Sequence, residues 1–233
     1  MADAVGRART AVDALLGNRA LRRRSTDVSA ESALRGAWAS AWLAGAHHPL
    51  TDVRSGVAVG DPVVQGALRA QAAIGGLADV WATAPRQALA RLHALAAADL
   101  VDAENLGRPV ATAGVADRLD TLAAVLGATS APAVVVCAVA HGEVLSLDAF
   151  APASGVVARV AARLTLVDRG LDPKSLVVLE AGHRELAGEY DEALAAYRSG
   201  TPAGVAHWVA HCADAVVAGA QEAAAICEAM LRG

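Results

Sequence analysis

The sequence predicts an all-α protein, and three observations carry that prediction. Apolar residues recur at three- and four-residue spacing through most of the chain, and no segment shows the strict alternation of a half-buried strand. Start and stop signals punctuate those runs: Asp61-Pro62 and Thr201-Pro202 precede them, while Gly17, Gly45, Gly170 and Gly200 close them. Hydrophobic residues make up 55% of the 233 positions but aromatics only 3%, and that mix of Ala, Leu and Val suits helices packed closely through small side chains. The pattern resolves into eight or nine helices in a single domain over 1–233, with no internal repeat.

In chain order, 4–16 places Val5, Ala8, Val12, Leu15 and Leu16 at helical spacing. The basic run Arg19, Arg22, Arg23 and Arg24 reads as a solvated helix face or linker, because the chain is net acidic at −4. A helix over 28–46 comes next, with Ser29 as its N-cap and Ser32 as the alternative, Leu34, Trp38, Ala41 and Trp42 on one face, and Gly45 closing it. His47-His48-Pro49 reads as an exposed turn. Asp61 caps the next helix, which runs to about 81–83, and Pro85 starts another in which His93 borders the apolar stripe as a core histidine. The stretch 102–114, DAENLGRPVATAG, is the most loop-like and suggests a short hairpin or flap near 103–114.

Two central helices occupy 131–170, separated by a short loop holding Phe150, the only phenylalanine. A brief extended stretch at 176–179 leads to a helix over 183–197, and the longest helix covers 201–231. Within it His207 and His211 stand four apart beside Cys212, a spacing zinc can use, but no third ligand is local and no metal site is assigned.

No stretch reaches the roughly 18 uncharged apolar residues of a membrane span, although mean hydropathy is high at +0.38. The first residues lack a continuous apolar signal region, and Cys137, Cys212 and Cys227 have no paired spacing. These features suggest a cytoplasmic protein. The acidic balance argues against nucleic acid and anionic membrane as partners.

The residues 148–159, DAFAPASGVVAR, resemble the motif HPFx[D/E]GNGRxxR of the Fic (Fido) family of nucleotidyl transferases, with Phe150, Gly155 and Arg159 matching. His141, in HGEVLSL, falls where the family's preceding helix carries a familiar histidine, and 161–173 resembles the helix and turn after the motif. Upstream, Ser40-Ala-Trp-Leu-Ala44-Gly45 resembles the inhibitory-helix pattern [S/T]xxxE[G/N], and AHHPLTDV resembles the family's segment just after that helix. Together the two patterns span about 28–210. The chain is also similar to actinobacterial Fic-like proteins with altered motifs, some labelled oxidoreductases. No GxGxxG fingerprint succeeds a strand, so hydride chemistry has no support.

The resemblance implies a nucleotide such as ATP, with Mg²⁺, at this loop, yet the side chains depart from it. Asp148 stands at the position of the motif histidine, the base that takes a proton from the target hydroxyl; an ordinary Asp pKa of about 3.9 suits that task poorly. Pro152 replaces the metal-holding acid, so no Mg²⁺ is expected. Ala153 replaces a glycine, Ser154 replaces the asparagine while retaining the ability to cap the helix, and Val156 replaces the phosphate-binding arginine. Ser154, Gly155, Val156 and Arg159 remain as a nucleotide or anion cradle, without a catalytic residue among them. Ser40, Ala44 and Gly45 mark the inhibitory-helix positions. The resemblance implies that the inhibitory glutamate pairs with the motif arginine, so Ala44 and Val156 are losses on two sides of one contact. The expected role is a catalytically inactive regulatory or protein-interaction module, working as a homodimer or with a protein partner. The alternatives are a nucleotide- or phosphate-binding protein, or a divergent nucleotidyl (AMP) transferase using Asp148 with Asp102, Glu104 or Arg108.

Overall fold

The computed structural model describes residues 1–232, which form twelve α-helices, two 3₁₀ turns and no strand. At its centre lies a hairpin of two apolar helices, α8 (Ala133–Ser146) and α9 (Ser154–Asp168). From Ser154 to Leu166 every residue of α9 except Gly155 is buried, so this helix is covered on all sides. Its Ala and Val side chains make that possible, because small residues let neighbours approach from several directions.

On one side of α9 pack α4 (Pro62–Ala72), α5 (Ile74–Thr83) and α6 (Pro85–Ala96). Against α8 lies α12 (Pro202–Arg232), whose 31 residues reach about 46 Å at 1.5 Å per residue. It touches α1 (Ala2–Leu16), α8, α10 (Leu179–Glu185) and α11 (Ala187–Arg198). The α10–α12 crossing depends on Gly182, where a Cβ would overlap the backbone oxygen of Ala215. The helix α2 (Leu21–Leu43) leans on α4, α10 and α12, and α7 (Val115–Ala128) packs on α8 and α6. The twelfth element, α3 (Leu50–Ser55), is a short turn beside α2. No helix among the described residues is long and apolar enough to cross a membrane.

Twelve helices replace the eight or nine predicted. The run over 62–83 divides at Ala73, and the run over 183–197 divides at Leu186, whose ψ of 23° takes it out of the helix while α10 already begins at Leu179. Neither break residue is itself Gly or Pro, although Gly75-Gly76 and Gly188 follow in the next turn. The helix predicted over 28–46 begins at Leu21, with Arg24 (φ −121°, ψ 17°) as a kink between its two parts. Ser29 is therefore no cap, and its hydroxyl donates to the Lys174 carbonyl at 3.1 Å. The C-terminus is as predicted: Gly45 takes φ +95°, and the N–H groups of Gly45 and Ala46 return to Trp42 and Ala41, a Schellman closure. Asp61 caps α4 by accepting from Val63 and Val64 at 2.8 and 3.3 Å.

No hairpin forms over 103–114. A 3₁₀ turn, Ala103–Asn105, gives way to irregular backbone that docks inward: Gly107 N–H donates to His93 Nδ1 at 3.1 Å and Val110 N–H to the Ala149 carbonyl at 2.9 Å. The segment lacks a second strand to pair with and hydrogen-bonds to the α8–α9 loop instead.

Candidate functional site

The loop 147–153 leaves α8 through Leu147 and turns sharply at Asp148, a non-glycine residue at φ +46°. That left-handed turn directs the chain inward, so Ala149 and Phe150 are buried while Asp148 and Pro152 stay exposed. Phe150 meets the His93 ring, with centroids 5.4 Å apart, and so pins the loop onto α6. The Phe150 N–H donates to Ser154 Oγ at 2.9 Å. This engagement corrects the expected role of Ser154: its hydroxyl points back into the loop and makes no cap bond to α9, whose N-cap position is Ala153.

At the start of α9 the first-turn N–H groups have no intrahelical acceptor, as at any helix N-terminus. The neighbouring side chains are Val156, buried at 3% exposure, and Arg159, buried at 2%. The Arg159 guanidinium folds back along the first turn, 3.1 Å from where a Cβ on Gly155 would stand. It is already engaged. Its Nε donates to Ser40 Oγ and its Nη2 to the Ser40 carbonyl, both at 2.9 Å. Thus Ser40 and Arg159, 119 residues apart, join the two patterns read from the sequence. The expected Ala44–Val156 relation is not what links them: Ala44 is exposed at the C-cap of α2, whereas Val156 faces the core. Gly45 lies beyond the helix end and is exposed. Asp102, Glu104 and Arg108 are exposed on the docked segment.

Arg159 is one of three arginines from α9 and α10 that hold α2. Arg163, one turn further along α9 and 1% exposed, donates to Ser32 Oγ at 2.7 Å, to the Ser175 carbonyl at 2.8 Å and to Gln71 Oε1 at 3.1 Å. Its counter-charge is Glu180, fully buried on α10 at 3.2 Å, which also accepts from Gln71 Nε2. Gly36 makes room for this cluster, since a Cβ there would lie 2.6 Å from Arg163 Nη1. Arg184 of α10 lies over the rings of Trp38 and Trp42, 4.2 and 4.9 Å from their centroids. Sequence reasoning assigns Arg159 to an anion cradle rather than to the core and misses Arg163, because buried arginines are rare. A signal was present: Ser32, Gly36 and Ser40 form a small-residue stripe at spacing four, matched by Arg159 and Arg163 at the same spacing.

A second polar cluster lies behind α9. His141 of α8, His183 of α10, and His211 and Cys212 of α12 converge around Tyr190 and Trp208. His141 Nε2 is 2.7 Å from Tyr190 Oη, and His183 Nδ1 is 3.2 Å from His211 Nε2. Burial holds the imidazoles of His141 and His183 well below their usual pKa and that of His211 at about 4, so all three are neutral near pH 7. Burial likewise raises the Tyr190 phenol to about 12. The His207–His211 pair considered from the sequence does not form a site, because His207 is exposed and His211 points inward. His48 pairs with Asp61 at 2.8 Å, and exposed His47 leans on Trp42.

No protein-family model matches the chain, and no curated protein matches it. Solved structures do. A Fic family protein from Desulfovibrio desulfuricans G20 superposes with a TM-score of 0.78 at 20% identity, over 96% of this chain and 74% of that one. Fic-1 (residues 134–508) from C. elegans superposes with a TM-score of 0.74 at 17% identity, over 97% and 72% respectively. At such identities the similarity is one of architecture, and it agrees with the two motif-like stretches: this chain is built on the Fic fold.

Proposed function

We propose that this protein is a catalytically inactive Fic-fold module with a regulatory or protein-interaction role, working as a homodimer or with a protein partner. One observation carries the reading: Arg159, the arginine that matches the motif, is buried and bound at two of its nitrogens by Ser40. A phosphate would have to displace both bonds to use it. Other features point the same way. Asp148 is exposed at a turn, Pro152 offers no metal ligand, and the buried side chains of Ala153 and Val156 occupy the start of α9. Magnesium and a triphosphate do not fit these residues.

A second reading has one observation in its favour. The first turn of α9 carries outward N–H groups with the Arg159 charge beside Gly155, which suits a weakly held anion or nucleotide without turnover.

Calorimetry with ATP, ADP, AMP and inorganic phosphate, with and without Mg²⁺, separates the readings. The inactive-module reading expects no heat at millimolar ligand and no labelling of lysate proteins by a tagged ATP. Labelling that disappears in Asp148→Ala would refute it in favour of a divergent transferase. Saturable phosphate binding without labelling would favour the second reading. Light scattering is expected to give a dimer mass, and a monomer at high concentration would count against self-association.

A further inference from the structure

We propose that His141, His183 and Cys212 form a binding site for one zinc-type divalent metal ion, buried between α8, α10 and α12. Each residue offers one ligand atom, and these atoms lie within 4.8 Å of one another. All three side chains are fully or almost fully buried, at 0, 0 and 1% exposure. The inference is independent of the Fic-type loop and of its chemistry.

Hydrogen bonding gives the second line of argument. His141 Nδ1 and His183 Nε2 have no hydrogen-bond partner, although both are sealed from water. Buried polar atoms without partners are uncommon, and these two, with His211 Nδ1 as a third in the same cluster, lie beside a cysteine in one core and call for a shared explanation. The opposite nitrogen of each ring is engaged, by Tyr190 Oη for His141 and by His211 Nε2 for His183. When those nitrogens carry the ring protons, the free ones are lone pairs available to a metal. Metal-bound histidines are held in this manner, with the outer nitrogen donating to a neighbour that fixes the tautomer and the ring. Tyr190 and His211 are thus positioning residues for the two ligands.

The donor set selects the metal. Two imidazoles and a thiolate suit zinc and its neighbours, whereas magnesium and calcium need oxygen ligands. With bonds of about 2.0–2.1 Å to nitrogen and 2.3 Å to sulfur, tetrahedral donors sit about 3.3–3.6 Å apart. Contraction from a spread of 4.8 Å needs side-chain adjustments of about 1 Å. Binding converts the Cys212 S–H to a metal–sulfur bond and releases one proton to solvent, with no change of oxidation state. The thiolate offsets half the charge of the ion, which matters because Arg159 is a nearby cation. Three protein ligands leave a fourth position for water or a fourth donor. Since the donors come from three helices and are inaccessible in the folded chain, the metal enters as the protein folds and then ties α12 to the centre.

The test is elemental analysis of the full chain, refolded with zinc and freed of loose metal by gel filtration. Stoichiometric zinc is expected, falling at least about 10-fold in Cys212→Ala and His183→Ala, while His207→Ala on the exposed face of α12 keeps it. Cobalt substituted for zinc should give a near-ultraviolet thiolate-to-cobalt band in the unsubstituted protein, a readout that stands even if a variant fails to fold. Zinc content in Cys212→Ala equal to that of the parent overturns the proposal. So does a refolded parent with neither bound zinc nor the cobalt band.

Discussion

The Arg163–Glu180 pair offers the sharpest quantitative test of how this fold is held. Replacing Arg163 by Met keeps the apolar stem but leaves Glu180, fully buried, with only Gln71 to bond. Removing one partner of a buried ion pair costs about 3–5 kcal/mol, because the remaining charge stays desolvated and uncompensated. For a domain of this size each kcal/mol moves Tm by about 2–4 °C, so Arg163→Met should melt about 6–20 °C lower. Glu180→Met strands the guanidinium and should cost a similar amount. The double variant removes both charges. It still deprives the Ser175 carbonyl and the Ser32 hydroxyl of their donor, at about 1–3 kcal/mol, but should be more stable than either single variant. Urea unfolding monitored by far-ultraviolet circular dichroism and by the fluorescence of buried Trp81 and Trp208 reads the cycle. If Arg163→Met costs less than about 1 kcal/mol, or the losses simply add in the double variant, the pair is neither desolvated nor coupled and the reasoning is refuted.

The same geometry sets three further outcomes. Ser40→Ala removes the acceptor for Arg159 Nε while leaving the Ser40 carbonyl, and should lower stability by about 1–3 kcal/mol; an unchanged urea midpoint would show that this bond contributes nothing. Gly182→Ala must push α10 away from the Ala215 backbone, which cannot yield as a side chain could, so a loss of at least about 1–3 kcal/mol is expected by thermal unfolding. Acid should destabilise the protein through its buried histidines. Burial lowers the folded pKa of His93, so the unfolded chain binds the extra proton; stability is full above the unfolded value of about 6.5 and declines as pH falls toward the folded value. His93→Gln should flatten part of that decline in a pH series of urea midpoints, and an identical slope would reject the assignment.

Much of this architecture is legible in the sequence where local chemistry decides it. Asp61-Pro62 specifies a helix start through two cap bonds, and Gly45 specifies a helix end through its positive φ. Phe150, alone of its kind, announces a loop anchored in the core. What tertiary packing decides is not legible. The break between α10 and α11 falls at Leu186, an ordinary helix former, and the early start of α2 runs through an arginine-rich stretch that composition assigns to solvent. Arg19, Arg22, Arg23 and Arg24 are indeed exposed, but on or beside a helix that extends the predicted one. At the candidate site the Fic-like frame is visible from residue types alone, whereas the Ser40–Arg159 contact spans 119 positions and belongs to the packing of α2. The histidine cluster is only partly legible for the same reason: His211 beside Cys212 is a visible local pair, but His141 and His183 lie on two other helices.

The arginines that secure α2 also determine what can loosen it. None of them meets an acid on that helix: Arg159 binds a serine, Arg163 binds a serine there and finds its carboxylate on α10, and Arg184 rests on two indoles. Added salt screens exposed ion pairs such as Arg7–Asp214 and, at the outer face of α2, Arg54–Glu31 and Arg35–Glu222, yet it has almost nothing to screen at these three arginines. At these contacts the helix carrying the inhibitory-like pattern is therefore held by shape and hydrogen-bond geometry. A change of ionic strength leaves these contacts in place, whereas one extra methyl group at Gly36 reaches the buried arginine directly.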